Sequence, residues 1–260
     1  MNSRVGLAHF GGVVVALTSA ALTNAHLRGV GVEPTDVVVL AVYLPATMIG
    51  CGLRGYRLYL GRTAWLNEGR SPSLLEQRSV LGLPLREAIE GFMPWIVAAL
   101  IFGALNLLAY GNGLAYTLRT FLSIVLGGLT ASAMAYLLAE RTLRPVFALA
   151  LVGHVPQRAG SLGVRAKLLL SGMLGCGVFL VTIGLSYVGR PAAQPPTATA
   201  IWFLAGSGLA AGFIVLYAAA RSLADPLQQL HRAVHRMQLG DLDVHVDVDD
   251  AGELGLLQAG

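Results

Sequence analysis

Two histidines have a spacing that could bind a metal ion. His231 and His235 lie four residues apart, which brings both imidazoles to one face of a helix. A metal site needs at least a third ligand, and none is evident in the sequence nearby. Neither histidine is followed by the acidic residue that is typical of a kinase phosphoacceptor. We therefore interpret both as solvated side chains beside a helix seam.

An acidic run close to the end of the chain matches the first positions of a calcium-binding loop. Asp247 and Asp249 stand at positions one and three, and Gly252 at position six. The fifth and twelfth positions hold Ala251 and Gln258, which are not the ligands that such a loop requires. This run is therefore predicted to be a solvated connector.

No other residues form a recognisable catalytic or redox group. The soluble segments contain no nucleophile elbow, phosphate-binding loop or pair of catalytic carboxylates. Cys51 and Cys176 both lie inside apolar runs, where small buried side chains are expected rather than a disulfide or a metal pair. These 260 residues are predicted to have no enzymatic activity and to need no cofactor.

Composition indicates a membrane protein. The chain is 55% hydrophobic and 12% charged, about half the charged fraction of soluble domains. No basic stripe carries interleaved aromatic residues, so nucleic acid is not an expected partner. Membrane lipids are.

Six apolar runs are long enough to cross about 30 Å of hydrocarbon. They predict an all-α membrane protein, with a six-helix transmembrane bundle over residues 1–220. The first run could instead be a signal peptide, because Arg4 precedes it and small residues follow it, but it is long for that role. The predicted spans are 5–23, 37–53, 92–108, 116–138, 168–188 and 201–220.

The basic residues predict the orientation. Segments 54–91 and 140–167, together with Arg4 and the tail from residue 221, hold 15 of the 18 Lys and Arg residues. Because cytoplasmic loops collect these residues, we expect a plasma-membrane protein with both termini in the cytoplasm. The remaining loops are too short to fold as a ligand-binding domain. A signal is thus expected from the bilayer, the bundle interior or the cytoplasm.

Polar groups inside the predicted spans are few. They are His9, Asn106 and Arg119, and no acidic residue joins them. Ion-coupled transporters usually place charges at mid-membrane, so this pattern argues against transport. Asn106 is expected to form an interhelical hydrogen bond, and Arg119 to extend to the membrane surface. Gly208 and Gly212 form a Gly-x-x-x-Gly pair in the sixth span, which predicts a dimer contact there.

The tail contains a helix with an apolar seam. Its apolar residues recur at steps of four, three, four and three, which is the spacing of a coiled coil. Asp225 is predicted to cap this helix, Pro226 to begin it and Gly240 to end it. We call this set the relay seam: Leu223, Leu227, Leu230, Val234 and Met237.

An extended strip follows the helix, and a second seam begins after the strip. Leu242, Val244, Val246 and Val248 alternate with polar residues, and a new seam opens at Leu254. Two short seams cannot bury themselves, so a partner copy is expected. The chain ends three residues after Leu257, too early to complete a second helix, and we expect a fragment or a truncated gene product.

This tail resembles the HAMP signal-relay module. The resemblance implies a partial parallel coiled-coil module over residues 221–260, completed as a four-helix bundle by two chains. It also implies that a membrane signal changes how the helices pack. Gly252 departs from the pattern, which usually has an acid there. The matching positions are Pro226, Leu227, Leu230, Gly240, Asp241, Leu242, Glu253, Leu254 and Gly255.

Six spans, short outer loops and this relay together resemble the membrane half of the actinobacterial class III adenylate cyclases. The segments from Glu140 to Val146 and from Gly163 to Leu170 extend the resemblance. It implies a dimeric protein in which a following cyclase domain converts ATP to cyclic AMP with Mg or Mn ions. None of the catalytic residues of that domain is present in this chain. Two alternatives remain open: the sensor half of a multi-span histidine kinase or chemoreceptor, and a small transporter.

Overall fold

The computed structural model describes residues 34–151, 163–173, 177–188 and 198–239. Over these ranges the chain forms helices and turns with no strand, so the all-α prediction is confirmed. A π-helical turn, Leu105–Ala109, continues the fourth helix. The α-helices are α1 Pro34–Arg62, α2 Ala64–Asn67, α3 Leu74–Leu81, α4 Leu83–Ala104, α5 Leu114–Leu151, α6 Val164–Gly172, α7 Val178–Leu185 and α8 Ala198–Gln238.

Within the described ranges, four helices are long and apolar enough to cross a membrane. They are Pro34–Arg62, Leu83–Ala109, Leu114–Leu151 and Ala198–Arg221. Each contains one of the predicted spans. The predicted span 5–23 lies outside the described residues, and 168–188 falls on two shorter helices, α6 and α7, with residues 174–176 outside the description. Six spans are therefore not confirmed.

Helices α4 and α5 form the central hairpin. Trp95 of α4 lies directly on Gly128 of α5, and Gly103 faces Phe121 and Thr117, so the two helices run antiparallel. A Cβ atom at Gly128 would overlap Trp95 Cβ and Cγ. The absence of a side chain at this position is what lets the indole fit against the α5 backbone.

The largest buried apolar cluster lies where α2, α3 and α4 meet the end of α5. We call it the Trp65 cluster. Gln77 is buried beside it, and its Nε2 donates a 3.0 Å hydrogen bond to the Ala150 carbonyl. The segment before α4 therefore packs on α5 through one side of α3, while Leu74 and Leu75 are exposed. The cluster consists of Trp65, Val80, Leu81, Leu83, Leu143, Phe147, Ala150 and Leu151.

A capping box begins α3. Ser73 Oγ accepts from the Glu76 N–H at 3.3 Å, and the Glu76 carboxylate accepts from the Ser73 N–H at 2.8 Å. Arg70 Nη2 lies 2.6 Å from Glu76 Oε1. The hydrogen bond from Arg70 lowers the pKa of Glu76 to about 2, with further lowering from the Ser73 backbone and hydroxyl. The same pairing raises the pKa of Arg70.

Three side-chain contacts connect α1 to α4 and to Tyr110, the residue that follows the π-helical turn. Tyr43 donates a 2.6 Å hydrogen bond to the Pro94 carbonyl. Tyr110 donates to Asp36 Oδ1 at 2.9 Å, and Arg54 pairs with Glu90 at 3.0 Å. Because the apolar window of α1 buries no residue among the described parts of the chain, these polar contacts position α1 beside α4.

Two polar residues of the predicted spans have surroundings other than those expected. Asn106 was expected to bond between helices, but its Nδ2 donates to the Phe102 carbonyl at 2.7 Å and its Oδ1 accepts from Asn112 at 2.8 Å. Both partners are local, one turn earlier in the same helix and in the loop that follows it, so that prediction was wrong. Arg119 was expected to extend to the surface. It is buried, with its guanidinium 4.2 Å from the ring centroid of Tyr116 one turn earlier.

Candidate signal-relay site

Helix α8 connects the last candidate span to the predicted relay without a break. It runs from Ala198 to Gln238 and passes through Asp225 and Pro226. Pro226 therefore does not begin a helix, and Asp225 does not cap one, contrary to the expectation. A proline inside a helix has no N–H to offer the carbonyl four residues earlier, here that of Ser222. This turn is consequently the point at which α8 bends most easily.

The described part of α8 ends close to the predicted stop. Gln238 is its last helical residue, and the Leu239 N–H donates to the carbonyls of His235 at 3.2 Å and Arg236 at 3.1 Å. The residues predicted to follow lie outside the described ranges, as do the extended strip and the second seam. They are Gly240, Asp241, Glu253 and Leu254.

The relay seam is exposed wherever its side chains are described. Leu227 is 54% exposed, Val234 52% and Met237 47%. The other two seam residues, Leu223 and Leu230, lie on the same helix in the same repeat. Apolar side chains at this spacing are buried in coiled coils by a facing helix. No helix within the described ranges covers these three side chains.

The two histidines of the relay helix, His231 and His235, are also exposed. The described residues contain no group of three His, Cys, Asp or Glu side chains that could bind a metal ion. The structure thus brings no third ligand to this pair among those residues.

The two glycines predicted for a dimer contact, Gly208 and Gly212, differ in burial. Gly208 is buried against α7. The contact is so close that a Cβ atom at Gly208 would lie 2.5 Å from Phe179 Cγ. Gly212 is partly buried. The structure therefore places Gly208 at a contact within one chain, and its dimer role remains a prediction without structural support.

One face of α8 packs on the rest of the bundle. Val215 and Ala219 are fully buried, and Val215 joins Tyr136, Leu137 and Ala88 in a second apolar cluster. These contacts let movement of α4 or α5 reach α8 directly. No local repeat in the sequence predicts these contacts.

The next turn of α8 brings a charge to the end of the span. Arg221 Nη1 lies 3.2 Å from the Tyr217 hydroxyl, and the guanidinium stands 5.7 Å from the centroid of that ring. Because Tyr and Arg are favoured at a membrane surface, this pair is consistent with the end of the candidate span at Arg221.

Comparison with known families decides what the tail is. Residues 218–260 match the HAMP domain. The chain thus carries a HAMP domain next to candidate membrane spans. This match includes all nine positions at which the tail resembles the HAMP module. It begins inside α8, before the candidate span ends at Arg221. A HAMP domain implies signal relay in a membrane-anchored sensor. No catalytic domain is seen among these 260 residues.

Several mycobacterial proteins are similar to most of the chain. The uncharacterized protein Rv1319c of Mycobacterium tuberculosis is 31% identical over 208 residues, which cover 78% of this chain and 38% of that protein. The uncharacterized protein Rv1318c of the same species is 30% identical over 75% of this chain and 36% of that protein. The uncharacterized protein Mb1354c of Mycobacterium bovis is 32% identical over 75% and 35%. The chain thus spans little more than a third of these relatives' length. No solved structure matches it.

Proposed function

We propose that two copies of this chain form a parallel HAMP dimer that passes a membrane signal to an output domain. One observation carries the proposal: α8 joins a candidate membrane span to the HAMP residues in one continuous helix with an exposed apolar seam. A continuous helix transmits a shift or rotation of its membrane half to its other half. The seam then repacks against the partner copy.

Two packings of the relay are enough for a switch. A difference of a few kcal/mol between them allows a modest signal to exchange their populations. Contacts from Val215 to Tyr136 and Leu137 connect α8 to α5. A lipophilic ligand or a change of lipid that moves α4 and α5 would thereby favour one packing. Pro226 marks the turn at which α8 would bend when the relay changes from one packing to the other.

The proposed output is a class III adenylate cyclase domain in a longer parent protein. Support comes from the combined resemblance of the spans and relay, and from relatives more than twice as long as the matched region. ATP and Mg or Mn ions would bind that domain, not this chain. The proposed location is the plasma membrane with both termini in the cytoplasm, as the arginine distribution predicts. A histidine kinase or chemoreceptor output is equally compatible with a HAMP domain.

The test fuses residues 1–260 to a class III cyclase domain that is active only as a dimer. Cyclic AMP production is measured in membranes of varied lipid composition, with and without lipophilic compounds. We expect output that depends on lipid and is lost with Leu230→Asp, because a carboxylate in the seam opposes dimer packing. Gln228→Asp, an exposed substitution outside the seam, is the control and should retain output.

Flat output from an intact dimer would reduce the chain to an anchor and assembly device. Retained, lipid-dependent output in Leu230→Asp would contradict the relay. The identity of the output domain needs the full-length relatives, assayed for cyclic AMP production from ATP and for autophosphorylation. Phosphate incorporation without cyclic AMP would favour the kinase alternative.

A further inference from the structure

The relay seam does not stop where the candidate membrane span ends. The alternating steps of three and four that define the relay seam continue from Leu223 toward the start of α8. They reach six further residues. Every one of these residues is exposed in the structure, with Trp202 at 77%, Leu209 at 74% and Phe213 at 71%. They are Ala220, Leu216, Phe213, Leu209, Gly206 and Trp202.

The opposite face of the helix is used within the chain. Gly208 contacts Phe179 of α7, and Val215 packs with Tyr136 and Leu137 of α5. Five residues on this face are buried. They are Ala200, Leu204, Gly208, Val215 and Ala219. Helix α8 thus has one face for its own bundle and another that repeats in the register of the relay.

We propose that a second copy of this chain packs along α8 over its whole length, in one unbroken parallel seam from Trp202 to Met237. The inference rests on the HAMP dimer of the proposed function and extends it into the membrane. Gly206, rather than Gly208, is then the small residue at the dimer contact, and the other large side chains of the seam fill the space on either side of it.

Helix geometry favours a partner over lipid along this stripe. A two-fold axis beside the relay seam fixes both copies of α8 with the same face inward. Phe213 lies 14 residues before Leu227, or about 21 Å along the axis. Two helices that cross at about 20° and supercoil around each other stay in contact over that length, because the slight under-winding keeps the seam turned toward the partner.

The repeat itself is a second argument. A straight α-helix drifts by about 20° per heptad relative to a strict seven-residue repeat. Over the five heptads from Trp202 to Met237 this drift would amount to about 100°, yet the six membrane positions in the register of the relay are all exposed. Here all eleven positions are apolar or glycine. A supercoiled partner helix requires that regularity.

The test is disulfide crosslinking in native membranes, on the whole chain with Cys51→Ala and Cys176→Ala. Single cysteines are placed at the seam with Leu209→Cys, Phe213→Cys or Leu216→Cys. Ile214→Cys is the matched control, because Ile214 is exposed but lies one residue off the seam. Val234→Cys reports the relay dimer separately. Disulfides need Cα atoms about 4.4 to 6.8 Å apart, so only paired positions should react readily.

We expect several-fold more disulfide dimer at the three membrane seam positions and at Val234→Cys than at Ile214→Cys. Dimer at Val234→Cys with only the control level at all three membrane positions would overturn this inference, leaving the stripe to lipid and the proposed function intact. The control level at Val234→Cys as well would overturn both. Three membrane positions guard against loss through misfolding of any single variant.

Discussion

Phe179 lies against Gly208 so closely that no side chain fits between α7 and α8. A Cβ atom on Gly208 would stand 2.5 Å from Phe179 Cγ and 2.7 Å from its Cβ. Since the clash involves atoms at the root of the phenylalanine, a rotamer change alone cannot relieve it. The glycine pair that suggested a dimer contact therefore has one member inside the protomer. This contact secures the bundle face of the helix that leads into the HAMP domain.

Gly208→Ala should destabilise the membrane bundle. The added methyl group forces α7 and α8 apart, at a cost of about 1–3 kcal/mol for overpacking. Thermal unfolding in detergent would show a lowered midpoint. Gly184→Ala, in α7, is the control, because Gly184 is exposed and a Cβ atom there meets nothing within 4 Å in the chain. Equal midpoints for the two variants would contradict the assigned contact.

Gly128→Ala should weaken the α4–α5 hairpin in the same way. Its methyl group would overlap Trp95 Cβ and Cγ, whereas a methyl group on the preceding Gly127 would stand at an ordinary 3.8 Å from Trp95 Cζ3. Overpacking of about 1–3 kcal/mol is expected for the first variant and little for the second. Unfolding followed by tryptophan fluorescence measures the difference. A larger loss in Gly127→Ala would refute the register of the hairpin.

Leu81→Ala should open a cavity in the Trp65 cluster. Leu81 is 2% exposed and Leu75, in the same helix, is 78% exposed. Truncating a buried leucine costs about 2–5 kcal/mol, while truncating an exposed one costs little. Protease resistance of the segment before α4, in membranes, reports the loss. Similar sensitivity in Leu81→Ala and Leu75→Ala would mean that α3 does not pack on α5.

Acid should loosen the start of α3. The folded pKa of Glu76, about 2, is below its ordinary value of 4.5, so Glu76 stabilises the folded segment fully above pH 4.5. This contribution declines as the pH falls and is lost as the pH passes through 2. Hydrogen exchange of Leu74–Leu81 should therefore quicken over this window. Glu76→Gln should remove the pH dependence, and an unchanged profile in that variant would rule out Glu76 as its source.

Ser73→Ala tests the same cap from the other side. Loss of an N-cap hydroxyl costs about 1 kcal/mol of helix stability, which is expected to speed exchange in α3 several-fold at neutral pH. Ser79→Ala, later in the same helix, is the control. If Ser79→Ala accelerated exchange as much as Ser73→Ala, the cap would have no special role.

Local sequence patterns predict the helical repeat of α8 correctly but not the residue at which the helix begins. The steps of four and three from Leu223 to Met237 predict the relay helix, because a repeat of 3.5 residues is a property of adjacent turns. The same local reasoning predicts that a helix begins at Pro226. In the structure the helix passes through it, because the turns on either side are strongly helical and one missing hydrogen bond does not outweigh them.

By itself, the sequence determined that this protein is helical, that it lies in a membrane and that its tail is a relay. Those properties follow from composition, periodicity and the HAMP motif, all of which are written in neighbouring residues. Only the tertiary structure decided which face of each helix is used. The contacts of Gly208 with Phe179 and of Gly128 with Trp95 depend on how two helices meet. Contacts of that kind arise from shape complementarity between distant segments, and no local repeat encodes them.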